Sequence, residues 1–325
     1  MDKKPPLYPL KFTPILKEKV WGGGKLASIF QKEGTGNIGE SWELSGVEDN
    51  VSVVANEPLK GTLLTELIET YKEQLVGKTT YEQFGNKFPL LFKFIDARED
   101  LSVQLHPNDV LAQKRHNGFG KTEMWYILHA EEDARLILGF NRDMDEVNYL
   151  RFLSENKLTE ILHEEKVQAG DAFFIVPGTV HAIGAGIVLA EIQQTSDITY
   201  RIYDWDRPDM DGTLRELHTD LALDAIDYKA SKAKVTYSNL ENKPVLLKTN
   251  RYFETNKLKL TQDLVRDLSN IDSFVVYMCV AGSAVLKYEA ASTGFKKGET
   301  ILIPACIDKI EIETNDATFL EVYIP

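Results

Sequence analysis

Two short stretches of this chain carry residue types that could hold a metal ion and do chemistry beside it. The first is Ser102-Val103-Gln104-Leu105-His106-Pro107-Asn108, followed by Lys121-Thr122-Glu123-Met124-Trp125, and the second is Pro177-Gly178-Thr179-Val180-His181-Ala182. Side chains alternate along an extended strand, so Gln104 and His106 leave one face and Leu105 the other. With Glu123 and His181 the set comprises two imidazoles, one carboxylate and one amide oxygen. That shell suits a single borderline divalent cation, zinc first among them. Pro107 biases His106 toward an extended backbone, and the Pro177-Gly178 turn would set His181 at the start of a strand. Spacing alone leaves both histidines equally open to a structural role. Glu123 shares a strand face with Lys121 and Trp125, so a solvated glutamate paired with Lys121 is the plainer alternative. His116, His129, His163 and His218 lack such surroundings and are read as structural.

Three further charged residues stand in apolar company. Lys93 interrupts Leu90-Leu91-Phe92-Lys93-Phe94-Ile95, where an ammonium is costly without an anionic partner. That partner could be a bound anion or a structural carboxylate, or the side chain could snorkel to the surface. Glu191 alternates with apolar residues in Leu189-Ala190-Glu191-Ile192-Gln193, so it should face an interior that raises its pKa toward general-base range. Arg201 lies close in sequence to Asp204 and Asp206, either of which could pair with it. The run Gly22-Gly23-Gly24-Lys25 lacks the P-loop layout and is expected as a turn after Trp21 at a pocket mouth.

Four runs, Gly39-Glu40-Ser41-Trp42-Glu43, Gln104-Leu105-His106-Pro107-Asn108, Lys121-Thr122-Glu123-Met124 and Tyr200-Arg201-Ile202-Tyr203-Asp204, resemble the short bacterial mannose-6-phosphate isomerases. The resemblance extends from about Pro9 into the C-terminal segment. It implies interconversion of mannose 6-phosphate and fructose 6-phosphate through a cis-enediol. It also implies one zinc per chain, held by Gln104, His106, Glu123 and His181. A single carboxylate among those ligands leaves residual positive charge for an anionic intermediate. In the same resemblance Arg201 matches the catalytic arginine that would stabilise the enediolate oxygens. Glu191 would move the proton, with Lys121 or a metal-bound water as rivals, and Lys93, Ser102 and Lys121 would meet the phosphate. Two other readings stay open. One is an iron-dependent oxygenase, against which Gln104 and the lysines weigh. The other is a non-catalytic sugar-phosphate binder.

The elements that must position these residues are mostly short strands. Residues 90–95, 124–128, 172–176 and 187–193 are rich in β-branched and aromatic side chains between turn signals. Two stretches show helical spacing instead: Leu63, Leu64, Leu67, Ile68 and Tyr71, then Val147, Leu150, Leu158, Ile161 and Leu162, divided near Ser154-Glu155-Asn156. Both are expected as packing helices. Gly170-Asp171-Ala172-Phe173-Phe174-Ile175-Val176-Pro177 resembles Gly298-Glu299-Thr300-Ile301-Leu302-Ile303-Pro304, each a turn, an acid, a buried strand and a proline. This is the pattern of a cupin barrel, a small antiparallel jelly roll. The expected fold is mainly β: tandem cupin barrels with helical insertions in the N-terminal half. Residues 1–240 form the catalytic domain and 241–325 a cupin-like domain without a metal site, since Asp308 stands where the first repeat has His181. The lysine-rich stretch 227–244 reads as the linker.

At 325 residues, 43% hydrophobic and 10% aromatic, the chain can bury two cores. Its 37 basic and 50 acidic residues give a formal charge of -13, which argues against nucleic acid and anionic membrane as partners. A phosphosugar site must then gather lysine and arginine locally. Cys279 and Cys306 are expected as free thiols in a reducing cytoplasm. No signal peptide is evident and no apolar run is long enough to span a bilayer. The expected partner is a small phosphosugar, bound by a cytoplasmic monomer.

Overall fold

The β-rich runs lie side by side in one antiparallel sheet. Its order is Lys234–Val235, Ala172–Ile175, Glu123–Ala130, Ile187–Gln194, Leu90–Ala97, Ile15–Gly23 and Ile38–Leu44. The computed structural model describes residues 4–34, 36–289 and 291–325. A five-stranded sheet, ordered Leu162–Lys166, Arg135–Phe140, His181–Ile183, Val103–Leu105 and Tyr200–Tyr203, packs against one face of the first. Ile95, Trp125 and Leu189 meet Leu136, Leu138 and Ile183 between the two sheets.

Strand alternation explains why Leu90–Ala97 is buried along its whole length. Ile95 points inward, while Phe92 and Phe94 point outward into a second core. There they meet the helix Leu64–Tyr71 and Phe253, Phe274, Met278 and Leu302 of the C-terminal half. A strand covered on both faces reads as a nearly continuous apolar run. The C-terminal half supplies eight strands of a ten-stranded sheet system, completed by Leu10–Thr13 and Val53–Val54, with its own interior of Leu258, Tyr277, Cys279, Ile301, Ile303 and Phe319. Leu10–Thr13 pairs with Thr300–Ile303 in that system and so ties the start of the chain to its end. The internal repeat is structural as well: Gly170 and Gly298 both take left-handed φ values, 94° and 87°, before their strands. At Gly298 a Cβ would stand 2.4 Å from that of Phe30, so no other residue fits without a shift. The fold is therefore mainly β, with two jelly-roll units and helices inserted in the first.

Three expectations need correction. The first helical stripe packs as read, but the helix Glu146–Ser154 leaves Val147 and Leu150 exposed and buries Tyr149 against Phe140 and Tyr228. The period breaks at Asn156, which is left-handed at φ 57°; Leu158 and Ile161 then lie in a 3-10 turn and Leu162 opens a strand. Second, part of the lysine-rich stretch is not a free linker, because Lys234–Val235 pairs with Ala172–Ile175 and the Tyr237 hydroxyl donates to the Gly170 carbonyl. Third, Gly22 and Gly23 end a strand, and a Cβ at Gly22 would meet the Asn37 carbonyl at 2.3 Å; the glycines allow close strand contact and, unlike Trp21, do not line the cavity that Lys93 and Gln104 share. Cys279 is buried, Cys306 is exposed and both are unpaired. Among the described residues no helix is long and apolar enough to cross a membrane.

One buried ion pair anchors the second jelly roll. Glu321 is fully buried and takes two hydrogen bonds from Arg266, at 2.8 and 2.9 Å, and one from the Tyr277 hydroxyl at 2.7 Å. Arg266→Ala strands that carboxylate, and urea unfolding is expected to show a loss of about 3–5 kcal/mol. A loss typical of exposed pairs, below about 1 kcal/mol, would show that the pair does not anchor the barrel.

Candidate active site

A row of side chains crosses the inner face of the seven-stranded sheet. Register sets Trp42 beside Lys93, Lys93 beside Glu191, and Glu191 beside Trp125. The Lys93 ammonium lies 3.0 Å from Glu191 Oε2 and 5.2 Å from the centroid of the Trp42 ring, and Trp125 Nε1 donates to Glu191 Oε1 at 2.9 Å. The carboxylate that Lys93 requires is thus supplied by the next strand. Burial pushes the Glu191 carboxyl up, but Lys121 and Lys93, with hydrogen bonds from Lys93 and Trp125, outweigh it and bring the group down to about 2. The raised pKa expected from sequence is reversed, because the apolar neighbours in the chain are not the neighbours in space.

The facing row belongs to the five-stranded sheet, where His181, Gln104 and Arg201 are cross-strand partners. His106 follows directly after Val103–Leu105, and its carbonyl accepts from Gly178 N at 2.9 Å, so the Pro177-Gly178 turn joins the two histidine segments. His106 Nδ1 lies 2.8 Å from the Ile198 carbonyl and His181 Nδ1 2.8 Å from the Thr179 carbonyl. A carbonyl oxygen only accepts, so each Nδ1 carries the proton and each Nε2 presents a lone pair. Those lone pairs face Glu123, at 3.3 Å for His106 and 3.9 Å for His181. His106, Glu123 and His181 offer ligand atoms within 4.8 Å of one another, all buried. Glu123 Oε2 and His181 Nε2 have no hydrogen-bond partner among the described residues. Buried polar atoms are rarely left so, and two converging imidazoles with a carboxylate suit a divalent cation. Lys121 contacts Glu123 directly, as the plainer sequence alternative held, although neither residue is solvated.

Burial pushes the His181 imidazole down to about 4 and, with the nearby Lys121 and His181 charges, holds His106 well below its usual value. Both rings are therefore neutral at neutral pH, the form that can ligate a metal. Burial likewise pulls Lys121 down to about 7, against the Glu191 carboxylate. Ser102 Oγ donates to Gln104 Oε1 at 3.2 Å, and both residues line one cavity with Lys121. Arg201 pairs with neither Asp204 nor Asp206: Arg215 holds Asp204 at 2.6 and 2.7 Å, and Tyr203 reaches Asp206 at 3.3 Å. Arg201 Nη1 donates only to the Glu216 carbonyl, at 2.9 Å, and its Nε has no partner among the described residues.

These groups surround a cavity of about 340 Å³. Its lining brings together Lys93, Ser102, Gln104, Lys121, Glu191 and Arg201, with the His106–Glu123–His181 group behind Lys121. Five cationic side chains (Lys19, Lys93, Lys121, Arg201, Arg215) face three carboxylates (Glu40, Glu191, Asp197). A chain of net charge -13 has gathered positive charge where an anion would sit.

Residues 9–122 match the phosphomannose isomerase type I catalytic domain, and residues 243–324 match the mannose-6-phosphate isomerase cupin domain. The chain is 36% identical to mannose-6-phosphate isomerase ManA of Bacillus subtilis (strain 168) over 309 residues, 94% of this chain and 96% of that protein. The chain belongs to the type I phosphomannose isomerase family. It is also 32% identical to the mannose-6-phosphate isomerase of Streptococcus mutans over 302 residues, 92% of this chain and 93% of that one. The crystal structure of the mannose 6-phosphate isomerase from Bacillus subtilis superposes with a TM-score of 0.89, covering 97% of this chain and 99% of that one at 32% identity.

Several lining residues of this phosphomannose isomerase family member escaped the sequence reading. Lys19 and Trp21 alternate on one strand, as Glu40 and Trp42 do on the next, so an inward face was detectable there. Arg215 reaches the cavity from an irregular loop, where no periodicity marks it. His218, set aside as structural, accepts from Arg201 N at 3.2 Å and so fixes the arginine's backbone.

The buried His181 gives a pH signature. Its unfolded pKa is near 6.5 and its folded value about 4, so between those pH values the unfolded chain binds more protons and acidification favours unfolding. Metal-free protein is expected to lose stability as pH falls from 6.5 to 4, with His181 contributing on the order of 3 kcal/mol. In urea titrations across that range His181→Gln should flatten the slope. A slope equal to that of the wild type would contradict a neutral buried ring.

Proposed function

We propose that this protein interconverts mannose 6-phosphate and fructose 6-phosphate through a cis-enediol, with one zinc ion held by His106, His181, Glu123 and the amide oxygen of Gln104. The observation that carries this reading is the pair of imidazole lone pairs turned toward the Glu123 carboxylate, one oxygen of which has no partner among the described residues, beside a cavity walled by cations. A bound divalent cation supplies positive charge beside the oxygens of the open-chain sugar. The two imidazole nitrogens bias this mixed shell toward zinc and away from magnesium and calcium, which prefer oxygen donors throughout.

The barrier is removal of a proton from the carbon next to a carbonyl. Arg201, with donors not committed to any carboxylate, is placed to stabilise the oxygens that become negative in the enediolate. Lys121, brought by burial to about 7, is the better-poised proton carrier. Glu191, ionised and fixed between Lys93 and Trp125, remains a candidate that would act only after leaving that pair. Lys93 and Ser102 would hold the phosphate and hydroxyl oxygens of the substrate. Trp21, Trp42, Trp125 and Ile183 form apolar wall that limits water around the reacting carbons. In this reading a boundary near residue 240 would separate the catalytic half from a C-terminal half in which the described residues offer no comparable group of ligands. A cytoplasmic monomer acting on a small phosphosugar accords with two unpaired thiols and a strongly acidic chain.

Purified protein treated with EDTA is expected to stop converting mannose 6-phosphate in a coupled assay, and to resume on addition of about one equivalent of zinc. Arg201→Ala should keep its bound metal yet lower kcat by about 10²–10³-fold. Full turnover without metal, or an unchanged kcat in the arginine variant, would contradict the proposal.

A further inference from the structure

Among the described residues, none that lines the catalytic cavity comes from the C-terminal jelly roll. That half nevertheless reaches the catalytic segments, by apolar packing on Phe92, Phe94 and Met124 and by polar contacts of Arg251 and Tyr252 with one carboxylate. We propose that Asp109, Gln194 and Tyr252 form a brace by which the second jelly roll positions the segment carrying Lys121 and Glu123. The inference rests on the isomerase reading and assigns positioning residues to it.

Asp109 opens the helix Asp109–His116, three residues after His106. Its Oδ1 accepts from Gly120 N at 3.0 Å and from Gln194 Nε2 at 3.1 Å. Its Oδ2 accepts from the Tyr252 hydroxyl at 2.6 Å and from Arg251 Nη2 at 2.7 Å. Four donors from three parts of the chain converge on one carboxylate, and hydrogen bonds to an ionised acceptor are the strong ones. Gln194 passes the contact inward: its Oε1 accepts from Thr122 N at 3.0 Å, and its own N donates to the Thr122 carbonyl at 3.2 Å. With a carboxylate on one side and an N–H on the other, the amide can point only one way. Thr122 sits between Lys121 and Glu123, and Gln194 ends the strand that carries Glu191.

The geometry leaves little slack. A Cβ at Gly120 would stand 2.7 Å from Asp109 N and 2.8 Å from its Oδ1, so the backbone before Lys121 is pressed against the start of the helix. At the outer end Arg251 and Tyr252 sit between the strands Pro244–Thr249 and Glu254–Leu260, where Asn250 Oδ1 accepts from Tyr252 N at 2.8 Å and pins the turn. The segments of His106, of Lys121 and Glu123, and of Glu191 thus share one fastening point, and its outer anchor belongs to the second jelly roll. Glu123 must meet both imidazoles closely, and a displacement of about 1 Å at such a site can cost 10²-fold in rate.

The test compares wild-type protein with Gln194→Leu and Tyr252→Phe. It measures zinc affinity by competition with a chromophoric chelator, kcat and KM on mannose 6-phosphate, and thermal unfolding of the metal-free proteins. Gln194→Leu is expected to weaken zinc binding by about 10–100-fold, as loss of groups that orient ligands commonly does. Its kcat should fall with KM little changed. Tyr252→Phe, which removes one hydroxyl from a part-exposed position, should shift both quantities the same way by less, with an unfolding midpoint close to that of the wild type. Wild-type zinc affinity and kcat in both variants, whether or not their unfolding midpoints drop, would overturn the brace while leaving the isomerase reading intact. Absence of zinc binding and turnover in the wild type itself would overturn both.

Discussion

A carboxylate taken wholly out of water must be met by cations or hydrogen-bond donors, and Glu123 is only partly met. Lys121 contacts one oxygen, and the two imidazole nitrogens nearest to it carry lone pairs where donors would be needed. Its other oxygen has no partner among the described residues. Left so, the group would be a net cost to folding; with a divalent cation at its centre the carboxylate and both lone pairs are satisfied at once. The deficit is kept in place by carbonyls that fix each ring through Nδ1, so neither histidine can turn away to satisfy itself.

The rest of the fold preserves that unmet demand. The two sheets hold opposed rows, Trp42–Lys93–Glu191–Trp125 on one and His181–Gln104–Arg201 on the other, at a spacing neither row could hold alone. Cross-strand pairing fixes each side chain to its neighbour's position, so the site is built on strand interiors and less on loops. The outer face of the larger sheet is closed by Phe92, Phe94 and Met124 against the C-terminal half. That packing stiffens the floor of the cavity without contributing a residue to it.

Legibility in the sequence followed the range of the forces involved. Strands and the first packing helix were readable because alternation and helical spacing are local, and the repeat beginning at Gly170 and Gly298 exposed the tandem architecture. The ligand residues were readable as types, but spacing left His106 and His181 ambiguous until the resemblance was added. What could not be read was pairing across strands. Lys93 and Glu191 lie 98 positions apart yet neutralise each other, so each looked like an isolated buried charge and the pKa of Glu191 was read with the wrong sign. Arg215 was invisible because a loop has no period. The division near Asn156 falls where it was expected, but Val147 and Leu150 misled because the helix Glu146–Ser154 turns the face carrying Tyr149 inward and leaves theirs exposed.

The central claim is a single cation at the meeting point of Glu123 and the two Nε2 atoms. Anomalous diffraction from crystals grown with zinc, collected on both sides of the zinc absorption edge, addresses it directly. The account predicts one strong peak within about 2.0–2.2 Å of His106 Nε2, His181 Nε2 and a Glu123 oxygen. A cavity without a peak, or a zinc ion bound only by other residues, would contradict it.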